Sequence, residues 1–268
     1  MTDDSPAPRI DTTVSHSARV WNYWLGGKDN YPVDRMAGDK VAEMYPDIVQ
    51  LARAARGFLT RAVRYLAGEA GIRQFLDIGT GLPTASNTHQ VAQAIAPESR
   101  IVYVDNDPLV LAHARALLTS SRQGACDYID ADLRDPGVIL AEASRTLDFT
   151  KPVAITLIAI LHHMTDYDEA RSIVNRLTEA VPSGSYLVLS HSTNVVFGAR
   201  SDEAVGQWNK FGKPPVILRS PSQIAGFFDG LELLEPGVVS TPRWRPDPVD
   251  IGGEAPEVDQ FCAVGRKP

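Results

Sequence analysis

Between Arg73 and Ser192, short β-rich runs alternate with helical periods, and no other feature of the chain constrains its fold as much. RQFLDI (73–78), RIVYVD (100–105), CDYIDAD (126–132), VAITLIAIL (153–161) and SYLVLSHS (185–192) are the strand-like runs. Helical periods to about Ile95, from Pro108 to Leu118 and from Tyr167 to Val181 separate several of them. Strands alternating with helices of this length read as a parallel, doubly wound sheet. VAITLIAIL is apolar on both faces, as a strand covered by helices on both sides must be. Asp166 followed by Glu169 predicts a capped start for the helix after it.

The flanks read differently. MTDDSPAPRIDTT (1–13) has a leader's composition and no basic-then-apolar signal. Residues 14–71 read as a helical extension: Ser15 caps a short helix stopped by Gly26-Gly27, Pro32 opens a second, and Pro46 a longer one toward Gly71. Residues 72–268 read as one globular unit. Its tail holds a helix from Pro221 to Phe228 and two strands, LELLEPGVV (231–239) and VDQFCAVG (258–265), expected to pair antiparallel at the sheet's far edge.

In open α/β sheets, ligands bind beyond the carboxyl ends of the strands, and the unusual residues of this chain lie there. FLDIGTGLPT (75–84) ends the first strand in Gly79 and Gly81, with Thr80 between them. RIVYVD ends in Asp105, 26 positions after Gly79 and followed by Asn106, about where an acidic residue meets ribose hydroxyls. Asp107 is the better-placed cap for the helix at Pro108, which frees Asp105 for the ribose. The third strand ends in Asp132-Leu133, an acceptor and an apolar side chain for an adenine edge and face.

Charge separates the nucleosides. A nicotinamide dinucleotide lays its pyrophosphate on the glycine turn. Asp77 stands two residues before Gly79, and the third glycine of the dinucleotide pattern is missing. A carboxylate beside that anion costs about 1 to 4 kcal/mol per close pair. S-adenosylmethionine (SAM) carries no phosphate, a sulfonium and an ammonium, and suits Asp77.

These residues resemble class I SAM-dependent methyltransferases. The longer strings SARVWNYWLGGKDNYPVDR (17–35), FLDIGTGLPT, RIVYVDNDPLVLAHARALL (100–118) and AILHHM (159–164) resemble the S-adenosyl methyltransferase family common in actinobacteria, from about Arg9 to Lys267. The resemblance implies SAM as cofactor and a Rossmann-like fold. Its sheet is seven-stranded and mostly parallel, with an antiparallel last strand and an N-terminal helical extension. It makes Asp77, Gly79 and Gly81 the cofactor turn, Asp105 the ribose acid and Asp132 the adenine-side acid. Pro83 replaces a frequent glycine, which lengthens the turn and turns Thr84 and Asn87 toward the ligand.

Methyl transfer from a sulfonium needs positioning, a dry pocket and, for some acceptors, a base. His162 and His163, after the fourth strand, are the candidate base; His191 ends the fifth. The fourth strand lacks the Asn/Asp-Pro-Pro-aromatic tetrad of nucleic-acid amino methyltransferases, and no Pro-Cys nucleophile is present, so a small-molecule acceptor is expected. A net charge of −7 disfavours nucleic acid, and no run of ~20 apolar residues predicts a membrane span. Two cysteines, Cys126 and Cys262, make neither a disulfide framework nor a metal site; a reducing, cytoplasmic compartment is expected. The extension is expected to cross the sheet edge as a lid. Trp21 and Trp24 would dock it while Tyr23, Lys28, Asn30 and Tyr31 reach the cofactor, Lys28 as partner for the methionine carboxylate. The segment from Ser201 to Phe211, with Trp208, would wall the acceptor side. A non-catalytic SAM-binding module and a nicotinamide oxidoreductase are the alternatives. The acceptor and the oligomeric state are not legible.

Overall fold

The computed structural model describes residues 10–83, 86–117, 120–248 and 256–268. Five parallel strands form the body of the sheet: β1 (Gln74–Ile78), β2 (Arg100–Asp105), β3 (Ala125–Asp130), β4 (Ala154–Ile158) and β5 (Tyr186–Ser192). β6 (Glu232–Leu233), β7 (Val239–Ser240) and β8 (Gln260–Arg266) complete it. The order is β3-β2-β1-β4-β5-β8-β6, with β7 also on β8, and β8 runs antiparallel to β5. Strand order reverses between β1 and β4, the switch point at which such sheets bind ligands.

The sheet thus has eight strands rather than seven. Pro236-Gly237 breaks LELLEPGVV: the Gly237 amide donates to Leu234 O at 2.8 Å, turning the chain and leaving two short strands, both on β8.

Helices cover both faces. α6 (Pro136–Ala143) and α7 (Tyr167–Glu179) share a core with Leu76, Val102, Ile155 and Leu187. On the other face, α3 (Ile48–Gly68) presses Phe58, Ala62, Val63 and Leu66 onto Phe75, Ile101 and Tyr103, next to α4 (Thr88–Ile95). Asp107 caps α5 (Pro108–Leu117) through the Leu109 amide at 2.8 Å, and Asp166 caps α7 through the Glu169 amide.

α3 is therefore a layer of the sheet domain, although its sequence falls within residues 14–71. What stands apart is α1 (Ser17–Trp24) with α2 (Pro32–Met44), packed around Val20, Trp24, Val41 and Leu51 against Ala204 and Trp208 of α8 (Ala199–Phe211). Ser15 does not cap α1. His16 holds that position, and its amide donates to Asp34 of α2. Gly26 takes the left-handed conformation that ends α1, at φ 81°. Of the expected leader, residues 1–9 lie outside the described residues, and Ile10 packs by Leu82 and Leu109. No helix among the described residues is long and apolar enough to cross a membrane.

Candidate functional site

The turn after β1 is built by its glycines. Gly79 (φ 75°) donates to Val104 O, and a Cβ there would stand 2.6 Å from Ile160, so only glycine fits. Gly81 (φ 65°) has no neighbour within 4 Å of its missing Cβ, which leaves open space above the turn. Asp105 at the end of β2 accepts from the Gly81 amide (2.7 Å) and the Asp107 amide (3.0 Å). Each carboxylate oxygen has a second lone pair, so Asp105 can still take ribose hydroxyls. Burial pushes its carboxyl up from the usual range, against the pull of those two amides. Asp132 accepts from the Arg134 amide (2.8 Å) and from Asn106 Nδ2 (3.2 Å), and Leu133 is buried beside it.

Asp77 lies deeper. Thr156 and Thr88 hydroxyls donate to its two oxygens, each at 2.6 Å. Burial raises its pKa, opposed by those hydroxyls and by the nearby Arg56 guanidinium. A cavity of about 520 Å3 runs over these groups, within the size range of small-molecule sites. Asp105, Asn106, Asp132, Leu133 and Arg134 from the ends of β2 and β3 line it, with Asp77, Gly79, Thr80 and Gly81 from β1 and its turn and Arg56 and Leu59 from α3.

The extension does roof this cavity, with other residues than expected. His16, Ser17, Ala18, Trp21, Asn22 and Leu25 face it, the i, i+3, i+4, i+7 stripe of one helical face. Tyr23 points away and donates to Asp39 at 2.7 Å. Lys28 is exposed. Asn30 is bound to Asn22 and Gly27, and Tyr31 packs against Leu82 and Leu109 under the Arg19 guanidinium. None of these four lines the cavity. Arg56 of α3, unlike Lys28, lines the cavity. Arg56 Nη2 donates to Asn87 Oδ1 at 2.9 Å, and its buried Nε has no hydrogen-bond partner among the described residues. Asn87 caps α4 outside the cavity wall rather than facing a ligand; Thr84 lies outside the described residues.

The roof is also bound to the segment after α8: the Ser17 amide donates to Lys213 O at 3.1 Å, and Lys213 to Pro215 line the cavity. Beneath, polar contacts hold it. His16 Nδ1 lies 2.9 Å from Asp107, and Arg19 Nε lies 3.7 Å from both Asp34 and Asp107.

His162 and His163 form a 3-10 turn after β4. His163 Nδ1 lies 2.9 Å from Pro215 O and so carries the proton; its Nε2 meets His162 Nε2 at 3.2 Å, and His162 Nδ1 meets Ser192 Oγ at 2.9 Å. Only His163 of the pair lines the larger cavity. Burial pushes its pKa down to about 4 and holds His162 well below the usual range. His191 is structural: it donates to Ser192 O and accepts from Arg219, whose guanidinium also holds Leu161 O and Met164 O.

A family model described as S-adenosyl methyltransferase matches residues 3–268. The chain belongs to this family. Among solved structures, a DUF574 family protein from Streptomyces avermitilis is 47% identical, with a TM-score of 0.93 over 97% of this chain and 100% of its own. A candidate methyltransferase from Thermobifida fusca is 40% identical, with a TM-score of 0.88 over 98% of this chain and 99% of its own. An O-methyltransferase family protein from Burkholderia thailandensis, 16% identical with a TM-score of 0.50, covers 84% of this chain and 62% of its own and shares the fold. No curated protein matches.

This member of the S-adenosyl methyltransferase family is a SAM-dependent methyltransferase, and its cavity fits that cofactor. The open side of Gly81, the Arg56 Nε without a hydrogen-bond partner among the described residues, and the Asp105 and Asp132 carboxylates offer room, a cation and acceptors of the kinds that a methionine joined to a nucleoside needs.

Proposed function

We propose that the protein methylates a small-molecule acceptor, with the nucleoside end of SAM over Asp105, Asp132 and Leu133 and its methionine end at Arg56 and Asp77. One observation carries this reading: a single cavity is lined by the strand-end carboxylates Asp105 and Asp132 and by Asp77 with Arg56, whose buried Nε has no hydrogen-bond partner among the described residues. When bound, SAM supplies a methyl group already activated by its sulfonium. The chain does the rest. Asp105 orients the ribose through its free lone pairs, Asn106 and Asp132 meet the adenine edge, and Leu133 packs on its face. Thr80 fixes the turn by donating to Asp77 O at 3.0 Å. Trp21 and Leu25 exclude water from above.

His163 stands where the acceptor enters. With its pKa near 4 it stays neutral at physiological pH and holds a proton poorly. Its role in this reading is to wall the acceptor's entrance with a neutral ring, its Nε2 turned to His162, which Ser192 holds in place. Free thiols at Cys126 and Cys262 suit a reducing cytoplasm. A net charge of −7 favours a small molecule over nucleic acid as acceptor.

Calorimetry with S-adenosylhomocysteine and with NAD tests the site, and transfer of labelled methyl groups to metabolites from an extract tests the reaction. Binding of S-adenosylhomocysteine and label on a small molecule are expected. Binding of NAD alone would overturn the reading.

A further inference from the structure

A second cavity, about 80 Å3, adjoins the first and shares Ser17, Trp21 and His163 with it. It lies between the helical roof and α8, with Ser192 and Thr193 at the end of β5 in its floor. Its wall is almost entirely apolar, from Val20 and Leu51 to Ala204 and Trp208. The exceptions define its chemistry. Asp259 is saturated by the Val196 and Phe197 amides and the Ser201 hydroxyl. His162 and His163 are kept neutral by burial. Thr193 and Tyr45 are both buried, yet Thr193 Oγ1 and Tyr45 Oη have no hydrogen-bond partner among the described residues; of the two, Thr193 stands beside Ser192 at the end of β5. Buried hydroxyls are nearly always paired, so a hydroxyl left unpaired in an apolar cavity beside the methyl-transfer site marks a place for a polar ligand atom.

The size is informative. An apolar cavity of about 150 Å3 takes up benzene, and this one has roughly half that volume. A six-membered ring therefore fits only by lying across the junction, one edge in the small cavity and the other between Trp21 and His163, facing the larger one. Among the described residues, no unpaired charge in the wall would balance an ionic ligand. We infer that the methyl acceptor is an uncharged single-ring molecule whose polar substituent pairs with Thr193 Oγ1 in the second cavity. The inference rests on the methyl-transfer reading above, and it adds the acceptor's class and its subsite.

The test is fluorine NMR titration of the protein saturated with S-adenosylhomocysteine, using 4-fluorophenol and fluorobenzene as probes. Both are expected to bind, the phenol more tightly. Thr193→Val keeps the side chain's shape and should weaken 4-fluorophenol about two- to tenfold, the worth of one neutral hydrogen bond, with fluorobenzene changed less than twofold. Ala204→Phe, which fills the cavity, should abolish binding of both probes with S-adenosylhomocysteine affinity changed less than twofold. If Ala204→Phe does not fold, Thr193→Val decides alone. S-adenosylhomocysteine binding with neither probe bound would overturn this inference only, as would probe binding indifferent to both variants. Failure of the wild-type protein to bind S-adenosylhomocysteine would overturn the methyl-transfer reading, and this inference with it.

Discussion

Arg56 shows what a strand-end reading omits. Asp77, Gly79, Gly81, Asp105, Asp132 and Leu133 were legible because a parallel sheet fixes where its strand ends lie, and all six line one cavity. Arg56 comes from the middle of α3, and nothing local in RAARGFL marks its reach to Asp77; only the packing of α3 on the sheet does. Tyr23, Lys28, Asn30 and Tyr31 failed for the converse reason. Their chemistry suggested contact, but Tyr23 is out of phase with the face of α1 that holds Trp21 and Asn22, and the other three follow that helix in the connection to α2. Arg56→Gln is expected to weaken S-adenosylhomocysteine about tenfold or more while changing 5′-methylthioadenosine, which lacks the amino-acid tail, less than twofold; calorimetry with both ligands checks it. Gly79→Ala should destabilise the fold by about 1–3 kcal/mol in urea unfolding, because a left-handed backbone and a contact with Ile160 both oppose a methyl group there.

At the scale of elements, α1 is a roof packed down by its own side chains. Val20 and Trp24 are core, and Arg19 is buried between Asp34 and Asp107. Arg19→Met would leave two buried carboxylates without their cation, an expected loss of about 3–5 kcal/mol in urea unfolding. Trp21 is half-buried, and its ring stands edge-on to Trp24, with centroids 6.1 Å apart. Trp21→Ala should leave stability nearly unchanged and weaken S-adenosylhomocysteine several-fold, measured by calorimetry. The helices of the extension were readable from Gly26-Gly27 and Pro32, which stop and start helices wherever they occur. α6 was missed because PGVILAEA is apolar almost all round, which hides the helical period. The β6–β7 break was missed because Glu235-Pro236-Gly237 sits inside a run otherwise suited to one strand.

At the scale of the whole molecule, the described residues form one sheet with a core on each face and two smaller clusters, one between α1, α2 and α8 and one around Leu82 and Leu109. Its class was legible from the alternation of strands and helices. The helical cap was readable as helices but not as a roof, because which face it turns inward depends on α8, 180 residues further along the chain. Acid stability is a property of this whole. His163 has its pKa pushed down to about 4 and His191 to about 3 by burial, whereas unfolded histidine titrates near 6.5. Below pH ~6.5 the unfolded chain takes up protons that the folded one refuses, so stability falls as the pH drops toward 4. His163 alone accounts for on the order of 3 kcal/mol over that window. Urea midpoints should decline from pH 7 to pH 5, and His163→Asn should flatten the decline. S-adenosylhomocysteine at a hundred times its dissociation constant should raise stability by about 2.7 kcal/mol in the same assay.

Asp259 draws the amides of Val196 and Phe197 and the Ser201 hydroxyl onto one carboxylate, just before β8. During synthesis, the nascent polypeptide exposes its glycine turn long before that carboxylate leaves the ribosome. An unfinished copy therefore lacks the anchor that ties the start of α8, with its Ser201, to the strand beside β5.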